Sequence, residues 1–101
     1  MTVNIQAVHF TADAKLINFI NEKLNKATQF YDKINAANVF LKLDNNHLHE
    51  NKIVEIHLSL PGQDLVVTKE HKSFEEAADH AVDVLIRQIK KHKQKLQEVL
   101  K

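Results

Sequence analysis

The apolar residues change period along the chain, and the order of those changes leaves few folds open. Val3, Ile5 and Ala7 alternate with Asn4 and Gln6 over residues 2–8, the period of a half-buried strand. Helical period follows over 13–31, where Leu16, Ile17, Ile20, Leu24, Ala27 and Tyr31 share one broad face with Phe19 and Phe30 along its edge. Thr11 is the expected N-cap of this helix, with Asp13 favourable in its first turn. Period two returns in a strand over about 37–43, with Val39, Leu41 and Leu43 on one side and Phe40 and Lys42 on the other. The polar stretch 44–51 reads as a loop. A third strand over about 52–60 turns Val54, Ile56, Leu58 and Leu60 inward and Glu55, His57 and Ser59 outward. Pro61-Gly62 marks a turn, and Leu65 to Thr68 form a fourth strand that closes a hairpin.

The last segment carries the clearest start signal. Ser73 three residues before Glu76 is a capping box, and Ala78, Val82, Leu85, Ile89, His92 and Leu96 then recur at alternating steps of four and three. A helix from Phe74 to about Val99 is expected. The order β-α-β-β-β-α follows. A right-handed crossover makes the first two strands parallel neighbours, and hairpins make the others antiparallel. The expected class is α+β: a four-stranded mixed sheet with both helices packed on one face. The opposite face, with Asn4, Gln6, Lys42, Glu55 and His57, is expected to be wet.

Length and composition bound the rest. The chain has 101 residues and no linker-like tract, so residues 1–101 read as a single domain. Absence of cysteine removes disulfides, thiolate metal sites and a cysteine nucleophile. A single glycine removes P-loops, dinucleotide fingerprints and nucleophile elbows, which need several. The N-terminus has neither a basic region nor a long apolar run, so no signal peptide is expected, and no apolar stretch approaches a membrane span. A cytoplasmic protein is expected.

Net charge is only +1, but it is unevenly spread. From residue 84 onward lie Arg87, Lys90, Lys91, Lys93, Lys95 and Lys101 against one acid, Glu98. Such asymmetry points to a polyanionic partner. At about 100° per residue, Arg87, Lys90, Lys91 and Gln94 fall opposite the apolar stripe, while Lys93 and Lys95 flank it. On the first helix, Lys23 and Lys26 lie one turn apart. Cations near a helix C-terminus also complement its dipole, and Asp83 with Arg87 is an i,i+4 pair that needs no ligand. Both readings stay open on composition alone.

No catalytic constellation is present. Ser73 is explained as a cap, and Ser59 has no base with an orienting group in view. Glu75 and Glu76 project about 100° apart and do not converge. Glu76, His80 and Asp83 share a helix face, but acids are favoured near a helix start, so no metal is expected there. His47 and His49 beside Glu50 are read as solvated loop residues, and His92 as a packing residue with a polar edge. No cofactor is expected, and the chain is read as a non-enzyme.

Two patterns carry a family resemblance. The first is Leu16-x-x-Phe19-Ile20-x-x-Lys23-Leu24-x-Lys26, followed by Phe30-Tyr31-Asp32-Lys33-Ile34. The second is Phe74-x-x-Ala77-Ala78-Asp79-x-x-Val82-Asp83-x-Leu85-x-Arg87-Gln88-Ile89-x-Lys91-His92-Lys93-x-Lys95. With the Leu60-Pro61-Gly62 turn, the chain resembles the ribosome hibernation promoting factors, which include protein Y. Members commonly carry a glycine and then a basic residue between the first strand and first helix, where this chain has Ala7 and Val8 followed by His9. The resemblance implies a short form, without a second dimerisation domain or an extended tail. It implies binding to the small ribosomal subunit in the mRNA and tRNA channel, inhibition of translation in idle cells, and a possible ribosome-dimerising partner protein. It places ribosomal RNA phosphates against Lys23, Lys26, Arg87, Lys90, Lys91 and Lys93. The competing expectation is a protein-interaction module that uses the exposed sheet face or an edge strand.

Overall fold

The computed structural model describes the backbone of residues 1–44 and 51–99 and the side chains of these as far as Lys95. Six elements occur in the expected order: β1 (Thr2–Ala7), α1 (Ala14–Thr28), β2 (Ala36–Leu43), β3 (Lys52–Leu60), β4 (Gln63–His71) and α2 (Phe74–Val99). The sheet order is β1-β2-β3-β4. β1 and β2 are parallel, and the remaining pairs are antiparallel. The sheet is therefore mixed and the class α+β, with β1 and β4 as its two edges.

Register explains the core. Ile5, Val39, Ile56 and Val67 stand side by side across all four strands, as do Val3, Ala37, Leu58 and Leu65. These rows face the helices. Leu16, Ile20, Leu24 and Ala27 of α1 and Ala77, Ala78, Ala81, Val82, Leu85 and Ile89 of α2 bury against them in one continuous cluster. Buried Ala77 and Ala81 broaden the packed face of α2 beyond the stripe legible in the sequence, because small side chains let the helix lie close to the sheet. Both helices cover the same face.

Four contacts step in the same order along α2 and along α1 with the residues that flank it. Phe10 stacks on Phe74 at 5.2 Å, Lys23 meets Asp79, Lys90 lies over Phe30, and Tyr31 meets His92 edge-on at 5.6 Å. The helices thus run in the same direction, and their negative dipole ends lie toward one end of the molecule.

Local chemistry sets the boundaries and corrects some expectations. Asp13, not Thr11, caps α1: its carboxylate accepts from the Leu16 amide at 2.8 Å. The helix ends at Thr28, short of Tyr31, because its last turn tightens. The Gln29 and Phe30 amides donate to the Lys26 and Ala27 carbonyls, and the Thr28 hydroxyl donates back to Asn25. Tyr31 is buried although it lies beyond the helix. β1 ends where His9 takes a left-handed φ of 66°. Leu43 is 43% exposed rather than inward-packed, since β1 stops opposite Leu41 and leaves the end of β2 without that neighbour. β4 is longer than its apolar run because every residue of β3 finds a partner on it. Pro61, with its ring-fixed φ, precedes Gly62 at +78°, the combination a type II turn uses. At α2 the Ser73 hydroxyl accepts from the Glu76 amide at 3.2 Å, as the capping box requires. His47, His49 and Glu50 lie outside the described residues, as does the side chain of Leu96.

Candidate ribosomal RNA interface

The cations of α2 fall on two flanks of one exposed ridge. Residues advance about 100° per position on a helix, so Lys90 and Lys91 cannot point the same way. Lys90 and Lys93, with Gln94, border a groove against Gln29 and Phe30 at the end of α1. Lys91 and Lys95 border a different groove on the far side, against Gln63, Asp64 and Val66 of β4. Arg87 is exposed between the flanks. Among the described residues it makes no ion pair with Asp83, so the i,i+4 pairing open in the sequence is not formed.

Packing of α1 on α2 sets the rest of the surface. Lys26 is exposed on α1. Lys23 is not a free cation: its Nζ lies 2.7 Å from the Asp79 carboxylate and 5.4 Å from the Phe19 ring centroid. The hydrogen bond to Asp79 raises the Lys23 pKa above the ordinary lysine value, against a smaller opposing effect of desolvation. Asp83 adds to this field across the helix pair. The acidic first half of α2 is therefore turned in part toward α1, and the basic second half runs past the end of α1.

His92 holds the middle of the basic segment in register. Its ring packs edge-on against buried Tyr31, and its Nδ1–H donates to the Gln63 side chain at 2.9 Å. That bond ties α2 to the β3–β4 turn, so His92 is the packing residue with a polar edge that its place on the stripe suggests. Among the described residues, the His92 Nε2 and the Tyr31 hydroxyl are buried and find no hydrogen-bond partner.

Two other polar clusters complete the surface. His80 shares a 2.9 Å hydrogen bond with His71 at the end of β4, a neighbour not visible in the helix spacing alone. Among the described residues, no group of three or more His, Asp or Glu side chains is placed to hold a metal ion. On the outer sheet face Glu55 is the hub. It accepts from His57 at 2.8 Å and from Thr68 at 3.3 Å and lies 3.8 Å from Lys42. The His57 hydrogen bond chiefly holds the Glu55 carboxyl below its ordinary pKa. Asn4 donates to Asn38 at 3.2 Å on the same face. No described helix is long and apolar enough to cross a membrane.

Sequence reasoning missed Phe30 as a groove residue and Asp79 as the partner of Lys23. Phe30 lies at the edge of the α1 apolar face, and only the early end of α1 turns it outward.

Comparison with known proteins agrees with this architecture. Over 100 residues the chain is 36% identical to a ribosome hibernation promoting factor of Pseudomonas putida, covering 99% of this chain and 94% of that protein. It is 35% identical over 104 residues to the factor of the same name from Escherichia coli, covering 97% and 99%. The N-terminal domain of Thermus thermophilus protein Y superposes with a TM-score of 0.79 at 25% identity, covering 91% of this chain and 99% of that one. A ribosomal subunit interface protein from Coxiella burnetii shares the fold, with a TM-score of 0.84 at 19% identity, covering 93% and 99%. Residues 3–97 match the family described as sigma 54 modulation protein / S30EA ribosomal protein, and the chain belongs to that family.

Proposed function

We propose that this protein binds the small ribosomal subunit in the channel used by mRNA and tRNA anticodon ends, and so keeps idle ribosomes inactive. It acts in the cytoplasm by occupancy, without catalysis and without a cofactor. Ribosomal RNA phosphates are held by Arg87, Lys90, Lys91 and Lys93 of α2 and by Lys23 and Lys26 of α1. The observation that carries this reading is the exposed Arg87, unpaired among the described residues, on a basic ridge with lysines on both flanks, in a chain whose relatives are named for ribosome hibernation.

A ridge with cations on two flanks suits a partner with phosphate on more than one side, as folded RNA has. Contacts of this kind read shape and backbone rather than base sequence. Arg87 supplies a planar fork suited to bidentate phosphate contact. Lys23 engages phosphate by leaving Asp79. A second small protein that joins two such ribosomes is a further partner under this reading.

Co-sedimentation with purified small subunits over a range of salt concentrations tests the proposal. Binding should weaken steeply with salt. Arg87→Ala combined with Lys91→Ala should fold normally, bind less tightly and lose about two units of salt slope. A double variant that binds like the parent at every salt concentration removes the ridge from the mechanism. Binding that ignores salt altogether favours a protein contact through the β1 or β4 edge or the outer sheet face.

A further inference from the structure

The groove between the end of α1 and the second half of α2 has an unusual lining for a phosphate site. Gln29, Phe30, Lys90, Lys93 and Gln94 border it, which joins one aromatic ring, two ammonium groups and two amides. Backbone geometry places the ring there. The Phe30 amide donates to the Ala27 carbonyl at 3.1 Å in the tightened turn that ends α1. Buried Tyr31 anchors the next residue in the core, so the half-buried Phe30 takes the outward side. Lys90 Nζ stands 4.7 Å from the Phe30 ring centroid.

We propose that Phe30 is a stacking platform for one unpaired nucleotide of the small-subunit RNA. Lys90 and Lys93 take its neighbouring phosphates, and the Gln29 and Gln94 amides meet the base edge. The inference rests on the reading under Proposed function and adds a ligand class to it. Phosphate alone needs only the lysines. A flat π face beside cations and amides matches a nucleotide, which is anionic, planar and edged with hydrogen-bonding groups. The Lys90 ammonium occupies the ring face at an exposed site, where such a contact is weak. A base displaces it, and the same flexible side chain then reaches that nucleotide's phosphate. A base inside a duplex offers no free face, so the ligand is a loop, bulge or single-stranded segment.

The chain contains no tryptophan, so Phe30→Trp introduces a single indole reporter. Titration with an eight-nucleotide oligoadenylate should quench its emission to saturation. An abasic ribose-phosphate chain of the same length should bind through charge but leave the emission unchanged. On small subunits washed free of messenger, Phe30→Leu should weaken binding by roughly five- to a hundredfold and keep the parent's salt slope, since no phosphate contact is lost. Equal quenching by the two probes, or no quenching at saturation, overturns the stack. Parent-like binding of Phe30→Leu to washed subunits, with Arg87→Ala still impaired, overturns the stack and leaves the ribosome reading standing. A parent protein that does not bind washed subunits overturns both.

Discussion

Lys23 and Asp79 form an ion pair across the two helices, with Nζ 2.7 Å from the carboxylate and Asp79 itself about half exposed. The pair helps align α1 with α2, and Lys23 must leave it to reach an anionic partner. Exposed pairs contribute little to stability, so Asp79→Asn should shift it by less than about 1 kcal/mol. The same change frees Lys23 and removes a repulsive charge. It should tighten binding to small subunits, because Lys23 no longer has to leave the pair, with the salt slope close to the parent's, measurable by sedimentation. Lys23 has a raised pKa, so the pair's stabilisation is complete below the ordinary lysine value and fades as pH rises through the higher folded-state value.

The N-cap of α1 separates two neighbouring polar residues. Asp13→Ala should destabilise the protein by about 1 kcal/mol, because the Leu16 amide loses its acceptor. Thr11→Ala should stay within about 0.5 kcal/mol of the parent. Urea denaturation of the two variants checks the assignment.

His9 adopts a left-handed backbone, with φ 66°, although its side chain carries a Cβ. A left-handed residue with a Cβ costs roughly 1–2 kcal/mol, and glycine's extra freedom in the unfolded chain offsets about 0.5–1 of that. His9→Gly should therefore raise stability by up to about 1.5 kcal/mol. His9→Val should lower it, since a β-branched residue tolerates positive φ least. Thermal unfolding would show the opposite signs.

Glu55 links three strands of the outer face through His57, Thr68 and Lys42. Its carboxyl is held below the ordinary value, so its contribution is full above the normal carboxylate range, about pH 4.3. That contribution is lost as pH falls through the lower folded-state value. Glu55→Gln should lose stability less steeply than the parent on acidification, as read from urea midpoints between about pH 5 and pH 3.

The period of the apolar residues determined the element order, the strand faces and the extent of α2. Those features depend on local geometry: 180° per residue in strands, 100° in helices, and a serine positioned to cap. The cationic residues were equally legible, because charge is a property of the residue itself. Their arrangement was not. A wheel drawn on α2 groups Arg87, Lys90 and Lys91, but α1 lies along one flank and β4 along the other, so Lys90 and Lys91 enter different grooves. The sequence separation between Lys23 and Asp79, or between Phe30 and Lys90, gives no hint that they meet. Both contacts arise because the right-handed crossover and the two hairpins make α1 and α2 run side by side in one direction. Even the end of α1 at Thr28 is set by hydrogen bonds of its final turn that apolar spacing does not encode. Local patterning decided which residues are helical, buried or charged, and tertiary packing decided which of those charges remain free to bind.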